Sequence, residues 1–392
     1  MIEPIYWQPP RRAARSALLG AGAGAAVLVV AAIIDLRQTL FSYLAAYTYG
    51  FTLFIGALLW LGAFHATKAR WIVALRRPLE AMAAGGMLFL LLFIPVFAGL
   101  RVLYPWVHPD PARGAAFLAH MRLKSAYLNV GFFTARLFAY FVLWIAIGET
   151  FFSWSKQQDR VGGLAFTLRL HRFGPVSLPL AGYALTFAAV DWIMALQPEW
   201  KSTLFGLYVT AGALVGSLAA FIIVVALADA ARLLPGVRPS HYHSLGKLLL
   251  AFVCFWGYLA FSQLLLLWIA NIPEEIPYYQ LRWRSEGWRG LSVFLILGHF
   301  VAPFFVLLSA RLKRNPVRLA AVAAWILFVH WVDVYWLVMP YVSPLSTPHI
   351  QDVAALLTVV GAMVAYTLWR LRGLPTQPVG DPYLPDSLRY DK

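Results

Sequence analysis

The strongest constraint on this chain is the stretch 173–228. Its first part, 173–198, contains one charged residue, Asp191, and its last part, 202–228, contains none. Between them lie Pro198, Glu199, Trp200 and Lys201. Proline removes a backbone donor and crowds the preceding turn, so it ends a helix. Trp beside Lys suits a membrane–water boundary. The stretch reads as two spanning helices joined by a very short elbow. Asp191 then falls about two turns inside the hydrocarbon, where a central charge costs roughly 2.5–3.5 kcal/mol on insertion scales. A carboxylate at that depth must be buried against other helices, and its retention points to use.

Similar apolar runs recur along the whole chain. It is 61% hydrophobic and 12% charged, with a mean hydropathy of +0.69, and a soluble domain carries about twice that charge. Runs of about 20 residues bounded by charge predict ten helices, at 16–34, 38–67, 81–100, 125–155, 175–197, 203–228, 248–272, 290–310, 319–339 and 353–369. Strand-period alternation is missing, which argues against a β-barrel. The expected fold is all-α, a polytopic membrane domain over 1–372 followed by a tail, 373–392. The tail is rich in proline and charge, which predicts an extended, docked or disordered end. Helices 5 and 9 each carry an aspartate at similar depth, Asp191 and Asp333, with Trp192 and Trp331 beside them. This pattern predicts two four-helix bundles, helices 2–5 and 6–9, flanked by helices 1 and 10.

Arg11, Arg12 and Arg15 ahead of an apolar run resemble a signal peptide, but 16–34 is long enough to span and is read as a retained first helix. The loops on the side of both termini hold most of the 32 Lys and Arg, so both termini are expected in the cytoplasm. The net charge of +15 therefore reports topology, not nucleic-acid binding. The single cysteine, Cys254, excludes an intrachain disulfide, a Cys-rich iron–sulfur site and a covalent haem motif. No two histidines stand at the i, i+4 spacing of a ligand pair on helices 2–10, and His65, His299 and His330 fall at different inferred depths. No haem, cluster or metal is expected on this chain.

Protons cross membranes along titratable and hydroxyl groups linked by water. Asp191, Asp333, His330, His299 and Arg136 form a candidate outer set. Glu149, His65, Glu80, Asp229, His241 and Lys247 form an inner set, with Tyr140, Tyr183, Tyr258, Ser262 and Gln263 as bridges. Each also has a plainer reading. Arg136 would neutralise Asp191 as a structural pair, and His299 would be a satisfied core histidine. Asp229, His241, His243 and Lys247 would face water or headgroups. Glu149 would snorkel, and His65 would be interfacial. No catalytic nucleophile stands out.

Two segments, DWIMALQPEWKSTLFG (191–206) and HYHSLGKLLLAFVCFWGYLAFSQLLLLWIANIPEE (241–275), resemble the NrfD/PsrC-like integral membrane family. They are most similar to the ActF-type subunits of bacterial alternative complex III. The resemblance extends over nearly the whole chain. It implies a multi-pass subunit of a respiratory quinol:electron-acceptor oxidoreductase in the bacterial inner membrane. Implied partners are a sister NrfD-like membrane subunit, periplasmic iron–sulfur and haem c subunits, lipids and a terminal oxidase. It implies scaffold and proton-route work, with redox centres in the partners and quinol bound in the sister subunit or here. By resemblance Asp191, Trp192, Gln197, Trp200, Ser202, His241, Lys247, Tyr258, Gln263, Asn271 and His299 are the positions of interest. A secondary transporter and a purely structural anchor are the alternatives. Transporters place broken helices at the midplane, whereas helices 6, 7 and 9 carry no proline near their middles.

Overall fold

A computed structural model of the chain describes residues 4–8, 11–273 and 275–391. Glu274, in the second of the two segments quoted above, and Lys392 of the tail lie outside the described residues. Among the described residues, ten helices are long and apolar enough to cross a membrane: α1 Arg12–Ile34, α2 Leu36–Ala66, α3 Arg70–Ala98, α4 Val130–Val161, α5 Leu164–Leu196, α6 Phe205–Ala230, α7 Pro239–Ala270, α8 Glu286–Leu308, α9 Pro316–Tyr341 and α10 Ile350–Leu371. The protein is an all-α membrane protein.

The helices group into two sets of four that share an extensive seam. In the first, α2 packs on α3 and α5, and α4 packs on α3 and α5. In the second, α6 packs on α7 and α9, and α8 packs on α7 and α9. The units join where α6 lies against α2 and α5, and α9 against α2. α1 and α10 pair with each other and lean on α2. α2 is therefore buried along its length, while α1 keeps most of its apolar surface for lipid.

Several predicted boundaries move, for local reasons. Pro175 was the expected start of helix 5, yet Pro175 and Pro179 both lie inside a continuous helix, Leu164–Trp192. Proline costs a helix one hydrogen bond and a clash, and neighbouring helices in a bundle absorb that cost. The loop expected between α4 and α5 shrinks to Gly162 and Gly163, with φ of +71° and +86°, a conformation that side chains resist. Its basic residues instead ride on the ends of the two helices. α3 starts before the expected residue 81. It opens with a 3-10 turn, Arg70–Leu75, and a buried helix, Arg76–Ala83, so Arg76 and Arg77 lie inside the protein.

The tail is docked. Tyr6 bridges Pro375 in antiparallel fashion, and Trp7 N–H donates to Leu374 O at 2.8 Å. Ser387 joins the Arg70–Leu75 turn, donating to Trp71 O at 2.6 Å and accepting from Ala74 N–H at 3.0 Å. Ser240 donates to Asp391 at 2.7 Å. Both ends of the chain thus share one face of the bundle.

Candidate functional site

Asp191 and Asp333 occupy matched positions, one in each four-helix unit. Each stands seven residues before a proline, Pro198 or Pro340, and each helix ends in a 3-10 turn, Met194–Leu196 or Met339–Tyr341. Both carboxylates are buried, toward the end of the bundle opposite the termini. Their surroundings differ.

Asp191 is held by α4. Arg136 grips it in a bidentate pair, Nε to Oδ2 at 2.9 Å and Nη2 to Oδ1 at 2.8 Å, and Tyr140 OH donates to Oδ2 at 3.0 Å. The guanidinium also donates to Tyr127 O at 3.0 Å and lies 3.8 Å over the Tyr127 ring. Burial and the Asp191 charge push the Tyr127 phenol up to about 12. Trp192 lies inside a ring cluster with Tyr47, Phe51, Phe93, Phe141 and Trp144 at centroid distances of 4.9 to 6.0 Å. Both carboxylate oxygens are thus taken up by charge-assisted hydrogen bonds inside an aromatic shell, the arrangement of a structural ion pair. Of the two sequence readings of Arg136, the structural pair is the one realised.

Asp333 makes no ion pair among the described residues; the buried Arg282 guanidinium acts on it from a distance while bonded to Trp336 O and Leu337 O at 3.2 and 2.8 Å. Tyr208 OH of α6 donates to Oδ1 in a short hydrogen bond, and Trp256 Nε1–H of α7 donates to Oδ2 at 3.2 Å. One turn earlier on α9, His330 Nε2 meets Thr52 Oγ1 of α2 at 2.8 Å. The His330 ring fits because α6 presents glycines there. A Cβ on Gly216 would lie 2.5 Å from His330 Cδ2, and one on Gly212 would lie 3.1 Å from Cε1. A void of about 10 Å³, the room one water needs, is lined by Thr48, Thr52, Tyr208, His330 and Asp333. His330 Nδ1 and Thr48 Oγ1 are buried without a protein partner. His299 sits in a π-helical turn of α8, Ile296–Val301, with its ring 3.9 Å from Trp256 and 6.1 Å from His330. Neither of its ring nitrogens has a hydrogen-bond partner among the described residues.

Tyr208 and Trp256 have a second role. They also line a cleft of about 480 Å³ between α7 and α8. Its walls are mostly apolar, and its remaining polar groups are Gln263, Tyr279 and Ser292. Gln263 is 4% exposed and interacts with Tyr279, and its Oε1 has no hydrogen-bond partner among the described residues. Burial pushes the Tyr279 phenol up to about 12, so it serves as a donor. The rim carries Tyr258 and Phe261, both exposed on the outer surface of α7.

Among the sequence candidates, Asp333, His330, His299 and Gln263 come together here. The others do not. Glu149 is in a bidentate pair with Arg370 of α10 at 2.7 and 2.8 Å. His65 stacks on Phe151 at 5.3 Å near His171, at the termini face. His241 caps its own helix, Nδ1 accepting from Arg238 N–H at 3.1 Å while Nε2 meets Ser387 O at 3.0 Å. Lys247 and Tyr258 point outward. Asn271 ends α7 in the left-handed region, φ +48°. Trp200 faces protein rather than the surface: it is buried and stacks 3.8 Å over Tyr278 of the loop before α8.

Tyr208, Trp256, Thr48 and Thr52 escaped the sequence reading, because aromatic and hydroxyl residues are common in spanning helices. A second buried cluster was also unforeseen. Arg76 pairs with Glu80 at 2.8 Å and with Asp381 of the tail at 2.6 Å; Arg77 pairs with Glu80 at 2.8 Å and with Asp159. It lies at the termini face. Among the described residues no three His, Cys, Asp or Glu side chains are grouped as a metal site. No protein-family model matches the chain, and no curated protein matches it.

Proposed function

We propose that the chain is an integral membrane subunit of a respiratory quinol:electron-acceptor oxidoreductase of the alternative complex III type, supplying scaffold and a proton-exchanging carboxylate. The name of the activity rests on the resemblance of 191–206 and 241–275. The choice of residue rests on one observation: Asp333 is a buried carboxylate bonded only to neutral donors, behind a cleft at the membrane-facing surface. Tyr208 touches both the carboxylate and the cleft, so it is the relay between them. His330, Thr52 and the one-water void lie on the inner side of the carboxylate and extend the polar path. Unbroken α6, α7 and α9 favour this reading over a transporter, whose binding helices are interrupted at the midplane.

The cleft favours a second element of the reading, a quinol head admitted from the membrane. Its apolar walls suit a quinol ring and the start of its isoprenoid tail, and the Gln263 Oε1, unpaired among the described residues, would accept from a ring hydroxyl, with Tyr279 as a further partner. Quinol supplies two electrons and two protons. One proton would pass through Tyr208 to Asp333, the second would leave to water at the mouth of the cleft, and both electrons would go to redox centres of partner subunits.

The test is Asp333→Asn in the assembled complex. Turnover and proton release should fall about a hundredfold, the scale of a lost acid–base group, while subunit composition stays intact. Wild-type turnover and proton release in that variant would end the proposal.

A further inference from the structure

A second cavity, of about 540 Å³, lies at the termini face between the end of α2, the first turns of α5 and the tail. Its walls are Lys68, Arg70, Leu168, His171, Arg172 and Tyr383. Lys68 and Arg172 are exposed, and neither makes an ion pair with a described residue. Arg70 is only partly committed: it pairs with the half-exposed Asp386 at 3.1 Å and lies 4.1 Å over the Tyr383 ring. The nearest other carboxylate, Asp381, is buried against Arg76. The pocket therefore holds an excess of positive charge.

Its depth and its surroundings identify what would neutralise that charge. Lys68 follows the last residue of α2, Ala66, and 168–172 precede the apolar body of α5, so the pocket sits at headgroup level. Below it, Val176, Leu180, Tyr183 and Phe187 form an exposed stripe along α5, at 54%, 45%, 69% and 48% exposure. Their spacing continues that of Leu168 and Arg172 on one helical face. A soluble anion has no use for such a stripe. We infer that this pocket and stripe bind an acidic diacyl phospholipid, with the phosphodiester between Lys68, Arg172 and Arg70 and an acyl chain along Val176–Phe187. Basic pockets at the inner ends of spanning helices recognise acidic headgroups by this chemistry. The lipid would also tie α5 to the tail through Arg70 and Tyr383.

The experiment uses the full chain, purified in its complex in neutral detergent, with phosphatidylglycerol, phosphatidylcholine or inorganic phosphate added. Thermal stability and lipid retention by native mass spectrometry are read together. Phosphatidylglycerol should raise the melting temperature and stay bound, and the other two should not. In Lys68→Gln/Arg172→Gln the half-saturating concentration of phosphatidylglycerol should rise more than tenfold, since each cation near the surface contributes about fivefold. The charge-keeping exchange Lys68→Arg/Arg172→Lys should behave as wild type, and so should Arg311→Gln/Arg318→Gln elsewhere on the same face. An equal response to phosphatidylcholine or to phosphate overturns the inference. So does an unchanged phosphatidylglycerol response in the first variant, or its loss in the charge-keeping one.

Discussion

A carboxylate inside a membrane protein is defined by what it touches, and the two aspartates here touch opposite things. Asp191 is bonded three times, twice by Arg136 and once by Tyr140, whereas Asp333 is bonded by the neutral Tyr208 and Trp256 and makes no ion pair among the described residues. Removing one member of a buried pair costs roughly 3–5 kcal/mol, while replacing both with apolar residues is close to neutral. Arg136→Leu should therefore abolish assembly, and Arg136→Leu/Asp191→Leu should restore most of it. Size-exclusion yield of the complex decides this, and a double variant as poor as the single would contradict a structural pair. At the second aspartate, Gly216→Ala would drive a Cβ into His330. Overpacking of this kind costs about 1–3 kcal/mol, so the melting temperature should fall by several degrees, and an unchanged melt would show the ring is free to move. Both aspartates were legible in the sequence, since a charge in an apolar run is rare. Their partners were only half legible. Arg136 shares that rarity, but Tyr208 and Trp256 look like dozens of other aromatic residues until the helices are packed.

At the scale of elements, composition found the ten spans because each must be apolar over about 20 residues. It misplaced ends where a local signal was overruled by packing. Pro175 was such a signal, and so was the basic stretch 156–172, which is helix rather than loop. The true α4–α5 turn rests on Gly162 and Gly163. Gly162, at φ +71° and ψ −175°, lies in a region essentially confined to glycine, so Gly162→Val should strain the turn by about 1–3 kcal/mol, lowering the melting temperature without altering turnover, and a variant equal to wild type in both would show the turn is not needed. Trp200 was misread for a related reason. A tryptophan at a helix end suits an interface, but the loop before α8 folds back and covers it with Tyr278. At the end of the bundle opposite the termini, the short helix Ala115–Lys124 brings Lys124 to within 2.6 Å of Pro198 O in the same elbow. Burial holds that ammonium below its usual range. The tail gave no periodic signal, because its order comes from side chains of 70–77 and 240–244 that reach it individually.

Across the whole molecule the buried polar groups fall into separate sets. Asp191, Asp333, His299 and His330 lie toward one end, and Arg76, Arg77, Glu80, Asp159 and Asp381 lie at the termini face. Reporter fusions should place both termini in the cytoplasm, as the basic loops require; a periplasmic C-terminus would reverse the assignment of ends. The two sets should also do different work. Glu80 accepts from Arg76, Arg77 and Ser155 at once, so it ties α3 to α4, and through Arg76 it holds the tail. Glu80→Gln leaves two buried guanidiniums short of one charge, at a cost of a few kcal/mol, and should lower the melting temperature of the complex clearly. It should leave turnover per assembled complex unchanged, because nothing in its contacts reaches the cleft between α7 and α8. Asp333→Asn should do the reverse, sparing the melt and removing turnover. Measuring both quantities on both variants separates a polar cluster that holds the fold from one that moves a proton. If Glu80→Gln removes proton release while the melt holds, the termini-face cluster belongs to the conducting path, and the division of labour argued for the two ends is wrong.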